Sequence, residues 1–301
     1  MLYIRQAGTT CKCQLTQVNF PHTVTQRFTQ LPFRQTIKAF MVDPDAPRPG
    51  NPIHSTDTAR KHGFRGALIG GANVYGWVTD AIVDLLGESW LSNGWIDVLF
   101  RKPTYDGDTM QVTIDDAIEN IHQYRLENQQ GDVCLEGQLG MNTAPWLNEI
   151  EQTEFEPAED PITDSPALTL DNAPVGQRLR PMSAALTVRK HEAFIKEKQG
   201  ALLHRYAGPE GLCHPAWLAA QMIYLLHHSF NYGPAIHTRS QIQNLAPANA
   251  AQSFTITGCC DDAFEKRGHH YIVNDGSIWS GAQCELVRLR HTAIFKLRTA
   301  D

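Results

Sequence analysis

Apolar side chains at Val74, Trp77, Val78, Ile82 and Leu85 recur at the spacing of one helix face, which predicts a helix from about Gly71 to Leu86, closed by Gly87. Behind it, segments 96–101, 109–115, 121–127 and 133–139 carry apolar and β-branched residues between turn formers and predict strands. Ahead of it, residues 1–40 alternate loosely, with many Thr and Gln, and read as extended chain. One long helix followed by an antiparallel meander is an α+β pattern, in which the sheet has to curl around the helix.

The second half repeats the first. Setting RKPTYDGDTMQVT against LAPANAAQSFTIT aligns Pro103 with Pro247 and Val112 with Ile256, a shift of 247 − 103 = 144. The same shift carries Gly71 onto Pro215, where a second helix is expected to run to about Phe230. That helix has Trp217, Leu218, Met222, Ile223, Leu225 and Leu226 on nearly every side, so it should be buried all round. Further on, Gly131 and Cys134 match Gly281 and Cys284 at a shift of 150, which implies about six extra residues around 263–268 in the second copy. The expected organisation is a first unit over 1–145, an acidic, proline-containing linker over 146–172, and a second unit over 173–301.

Composition narrows the function classes. A chain of 301 residues with net charge −6 lacks the basic surface that nucleic acid needs. The amino terminus shows no basic start followed by an apolar run, and no segment approaches a membrane span, so a cytoplasmic protein with no membrane partner is expected. The seven cysteines include no C-x-x-C pair and read as reduced packing thiols. His227-His228 point about 100° apart on a helix and His269-His270 split between the faces of a strand, so no metal site is expected. There is no G-x-G-x-x-G or G-x-x-x-x-G-K, hence no nucleotide cofactor.

The stretch carrying chemistry is GNPIHSTDTARKHGFRGALIGG, residues 50–71. Pro52 disfavours helix at Asn51, so this is a shaped loop that delivers the imidazole of His54 to one place. Asn51, Pro52, Ile53, His54, Ala59, Gly63, Phe64 and Gly71 match, in order and spacing, the hydratase signature Asp-x-Asn-Pro-(Leu/Ile)-His. The chain thereby resembles the MaoC-like, or R-specific enoyl-CoA hydratase, family. It departs from that pattern twice: Pro49 stands where the family has its catalytic Asp, and Gly70 stands where the family more often has His.

The resemblance implies a tandem double hotdog, each unit an antiparallel sheet wrapped around a long central helix, acting on acyl thioesters without a cofactor. It implies His54 as acid/base, Asn51 as the residue orienting water, and a carboxylate partner, for which Asp45 is preferred over Asp43. Gly70 and Gly71, opening the helix, would let backbone N–H groups reach the thioester oxygen. Arg60, Lys61, Arg65, Arg101 and Lys102 are candidates for a coenzyme A phosphate. At a shift of 144, Asn51 and His54 fall on Ile195 and Lys198, so one active site is expected, with the second half shaping the pocket. His62-x-x-x-Gly66 and His214-Pro215-Ala216 also resemble polyketide-type dehydratase hotdogs, but Ala219 stands where those have Asp. A thioesterase and a catalytically silent thioester-binding protein are the alternatives on this fold. A homodimer is left open.

Overall fold

Ten strands hydrogen-bond into a single antiparallel sheet in the computed structural model, which describes residues 32–43 and 50–298. In chain order the elements are β1 (Phe33–Lys38), α1 (Thr56–Lys61), α2 (Gly71–Leu86), α3 (Trp90–Asn93), β2 (Gly94–Phe100), β3 (Thr109–Ile114), β4 (Ile121–Asn128) and β5 (Val133–Met141). There follow β6 (Arg178–Leu186), α4 (Val188–Lys198), α5 (Pro215–His227), β7 (Ile236–Asn244), β8 (Gln252–Lys266), β9 (His269–Ser280) and β10 (Glu285–Lys296). The expected helix bounds at Gly71 and Leu86 are met, and Gly87 ends the helix with φ 89°, a conformation open to glycine. Most of the extended chain expected over 1–40 lies outside the described residues, of which β1 is the part seen.

The strand order is β1-β3-β4-β5-β2 followed by β7-β10-β9-β8-β6, so the two halves repeat one topology and meet head to head at β2 and β7. There Asp97 pairs with Gln241, and 241 − 97 = 144, the same interval as the sequence repeat. An approximate two-fold axis therefore passes through the centre of the sheet. The second copy is longer by eight residues, not six. Val112 pairs with Leu126 while Ile256 pairs with Ile278, spans of 126 − 112 = 14 and 278 − 256 = 22. Glycine misled the alignment, because the left-handed turn position held by Gly131 (φ 79°) is held in the second half by Gln283 (φ 58°).

Both long helices lie on the concave face and pack against each other. Ten of the sixteen residues of α2 are buried, and α5 buries Leu218, Met222, Leu225 and Leu226. They share one core with Ile96, Val112, Leu126 and Leu139 of the first sheet and Ile256, Ile278 and Leu289 of the second. The segment expected as a linker is docked instead on the convex face. Thr153 hydrogen-bonds Thr257 at 2.7 Å, Phe155 meets Trp279 edge-on, and the Glu151 N–H donates to the buried Asp275 carboxylate. Polar side chains on that face of the strands give the connection somewhere to bind, which composition alone does not reveal.

Candidate active site

The His54 loop is built from its proline outwards. Pro52 opens a one-turn 3-10 helix, Pro52–His54, and Asn51 before it takes the extended conformation that a following proline imposes (φ −150°, ψ 96°). Ile53 turns inward and is 1% exposed against Ala59, Leu68, Ile294 and Leu297, a burial worth about 2 kcal/mol. That anchor leaves His54 facing the cavity. Nδ1 of His54 lies 2.7 Å from the Leu68 carbonyl oxygen, and since a carbonyl only accepts, Nδ1 carries the proton. The basic nitrogen of the neutral ring is Nε2, 3.3 Å from Asn51 Nδ2.

Asn51 ties the halves together. Its Oδ1 accepts from the Ala235 N–H and its Nδ2 donates to the Ala235 carbonyl, both at 2.9 Å, as one strand residue pairs with another. The remaining Nδ2 proton is directed at His54. Asn51 is thus placed to hold the ring rather than to hold water, a task different from the one the resemblance implies.

Gly70 caps α2 beside the ring: a Cβ built there would lie 3.7 Å from His54 Cε1 and 3.8 Å from Nε2. The Asn73 N–H already donates to the Gly70 carbonyl at 2.9 Å, which leaves those of Gly71 and Ala72 as the first-turn donors, and His54 stands at the positive end of a sixteen-residue helix. Gly71 admits a second imidazole. A Cβ there would sit 2.8 Å from Nδ1 of His237, 2.9 Å from its Cβ and 3.0 Å from Phe100 Cε1.

These groups line one cavity of about 970 Å³, with Phe40, Ile69 and Phe100 from the first half and Phe194, Ile223 and Tyr232 from the second. His54, Asn51, Gly70 and Gly71 are brought together here, as is Arg101. Asp45 and Pro49 lie outside the described residues, and Asp43, with φ 48°, is the last residue described before Gly50. Arg60, Lys61 and Arg65 are not among the residues lining the cavity. Arg65 is drawn away by an ion pair with the buried Asp108 and by the Tyr105 ring 4.1 Å from its guanidinium. Arg101 and Lys102 do line the cavity, but Arg101 is paired with Glu136 and Lys102 with Asp132. His214 caps α5 at full burial, its Nδ1 accepting from the Ala216 N–H, away from the cavity wall. Among the described residues no three His, Cys, Asp or Glu side chains are grouped to hold a metal, and the five described cysteines are free thiols.

Sequence reasoning missed a trio from the second half. Nε2 of His237 lies 2.7 Å from Ser240 Oγ, which lies 3.4 Å from Nδ1 of His291, and the two imidazole rings are 4.2 Å apart. The repeat holds a usable signal: Ser240 and His291 pair directly across β7 and β10, where the first half pairs Ile96 with Leu139 across β2 and β5. Burial, with His291 alongside, pushes the His237 imidazole well below its ordinary range, and burial pushes His291 down to about 4. An imidazole whose folded pKa is depressed binds its proton more readily in the unfolded chain. Stability is therefore whole above pH 6.5 and is lost as pH falls from 6.5 towards 4. For His291 the loss is about 3 kcal/mol. Urea melts of His291→Leu between pH 7 and pH 4 are expected to show a shallower fall than the parent; parallel curves would contradict this.

Two halves of one sheet, wrapped about two helices and sharing a crevice at a helix start, define a double hotdog protein. No family model matches the sequence, and neither does any curated protein. Solved structures do match in fold. One is described as a MaoC-like dehydratase, at 12% identity and TM-score 0.54, over 83% of this chain and 90% of that one. Another is described as a MaoC domain protein dehydratase of Chloroflexus aurantiacus, at 11% identity and TM-score 0.54, over 81% and 86%. A third is a Mycobacterium tuberculosis protein with a double hotdog fold, at 12% identity and TM-score 0.53, over 80% and 86%. Among the described residues no helix is long and apolar enough to cross a membrane.

Proposed function

We propose that this chain catalyses the reversible addition of water across the double bond of an α,β-unsaturated acyl thioester. The observation that carries the reading is the orientation of His54, whose protonated Nδ1 is fixed on Leu68 while Nε2 stands beside Gly70 at the start of α2. Nε2 exchanges its long contact with Asn51 Nδ2, 3.3 Å, for a water molecule, and takes a proton from that water as the water oxygen bonds to the β-carbon. The displaced electron pair moves to the thioester oxygen, where the first-turn N–H groups of α2 stabilise the enolate. Collapse of the enolate with protonation at the α-carbon completes the addition; Asp45, entering the step as the neutral carboxylic acid, is the proposed donor, and the proton left on His54 returns to the Asp45 carboxylate through solvent. The apolar cavity wall would take the acyl chain, and Arg101 is the proposed contact for a carrier phosphate.

Incubation with a short enoyl-CoA is expected to remove the conjugated absorption of the substrate without releasing free thiol. Thiol released from a saturated acyl-CoA would instead establish the thioesterase, and retention of both substrates would reject either enzyme. Gly71→Ala is expected to lower kcat/KM about tenfold or more, because the new methyl group displaces His237 or the helix start by several tenths of an ångström. A steady-state assay with unchanged kcat/KM would show that this close approach has no catalytic role.

A further inference from the structure

The first half packs Ile96 opposite Leu139, both with no exposed surface, and the second half sets Ser240 and His291 in the symmetry-related places (240 − 96 = 144; 291 − 139 = 152). A polar pair put in place of an apolar one inside a core costs stability, and such departures from local consistency gather at functional sites. Ser240 and His291 support a third polar residue, His237, whose ring packs at 4.3 Å against Phe100 and faces Gly71. Nδ1 of His237 is buried and has no hydrogen-bond partner among the described residues. An orphaned buried polar atom at the opening turn of a helix, beside the cavity, calls for a ligand atom.

We propose that His237 belongs to the apparatus that stabilises the thioester oxygen, contributed by the second half to the site of the first. His291 Nδ1–H donates to Ser240 Oγ, and the Ser240 hydroxyl donates to His237 Nε2. That order leaves the proton of His237 on Nδ1, next to Gly71. When a thioester enters, this N–H and the first-turn N–H groups of α2 converge on its carbonyl oxygen and on the enolate that follows. Burial keeps both rings neutral, so His237 acts as a hydrogen-bond donor and does not give up its proton. The inference rests on the hydration reading above.

The test is a dimethylaminocinnamoyl-CoA thioester, whose visible band moves to the red when its carbonyl is polarised. The parent protein is expected to bind it with a red shift. His237→Phe should bind it but lose most of that shift, and its kcat on a short enoyl-CoA should fall about 10²-fold with KM little changed. Ser240→Ala leaves the ring in place but removes the group that fixes its tautomer, and should lose part of the shift; it also serves if His237→Phe does not fold. An undiminished red shift in Ser240→Ala or His237→Phe overturns the role of His237 while leaving the hydration reading intact. Failure of the parent protein to bind the probe, or binding without a shift, overturns both.

Discussion

His54→Ala is expected to lower kcat/KM for an enoyl thioester by about 10²–10⁴-fold, the range that a positioned acid/base contributes. The same variant should melt within a degree or two of the parent, because Ile53 and not His54 anchors the loop. His54→Asn divides the effect further. Asn carries its amide nitrogen at the δ position and can donate to the Leu68 carbonyl as Nδ1 does, yet has no basic nitrogen, so it should keep that hydrogen bond and still lose the rate. Full activity in either variant would remove His54 from the chemistry. A large drop in melting temperature for His54→Ala would mean that its hydrogen bond shapes the loop more than the anchor does.

The parts of this fold that were legible are those set by local rules. The apolar period brackets α2, Gly87 stops it, and the interval of 144 between Val112 and Ile256 survives because both point into the core at the same register. The proline turn that aims His54 is also local, four residues long, and was readable for that reason. What escaped depends on distant partners. Asn51 meets Ala235 across 184 residues, and His237 meets Gly71 only because the sheet halves join through β2 and β7. The docking of the segment after residue 145 escaped for another reason. Its acidic, proline-containing composition fits solvent and a polar sheet face equally well, and only Asp275, Thr257 and Trp279 on the strands decide between them.

Asp275→Ala is expected to destabilise the protein by about 3 kcal/mol, with a melting temperature several degrees lower. Asp275 is fully buried. Its Oδ1 and Oδ2 accept from Arg290 Nε and Nη2 at 2.6 and 2.7 Å, and Oδ2 also accepts the Glu151 N–H at 2.8 Å. Arg290 reaches the Glu149 carbonyl at 3.0 Å, so the pair clamps residues 149–151 from both sides. Removing the carboxylate strands a mostly buried guanidinium, which keeps the half-exposed Asp261 at 3.3 Å as an ion-pair partner, and frees the segment that follows. Limited proteolysis should therefore begin within 149–160 in the variant and not in the parent. Gly276, the next residue on β9, faces Met222 on the concave side, so Asp275 lies on the side of the sheet away from His54. Well below the melting temperature, kcat/KM should accordingly stay within about twofold of the parent, since distant sites act independently. A variant that melts like the parent would show that the clamp adds nothing. A stable variant with reduced activity would show that the convex face is coupled to the site through the strands.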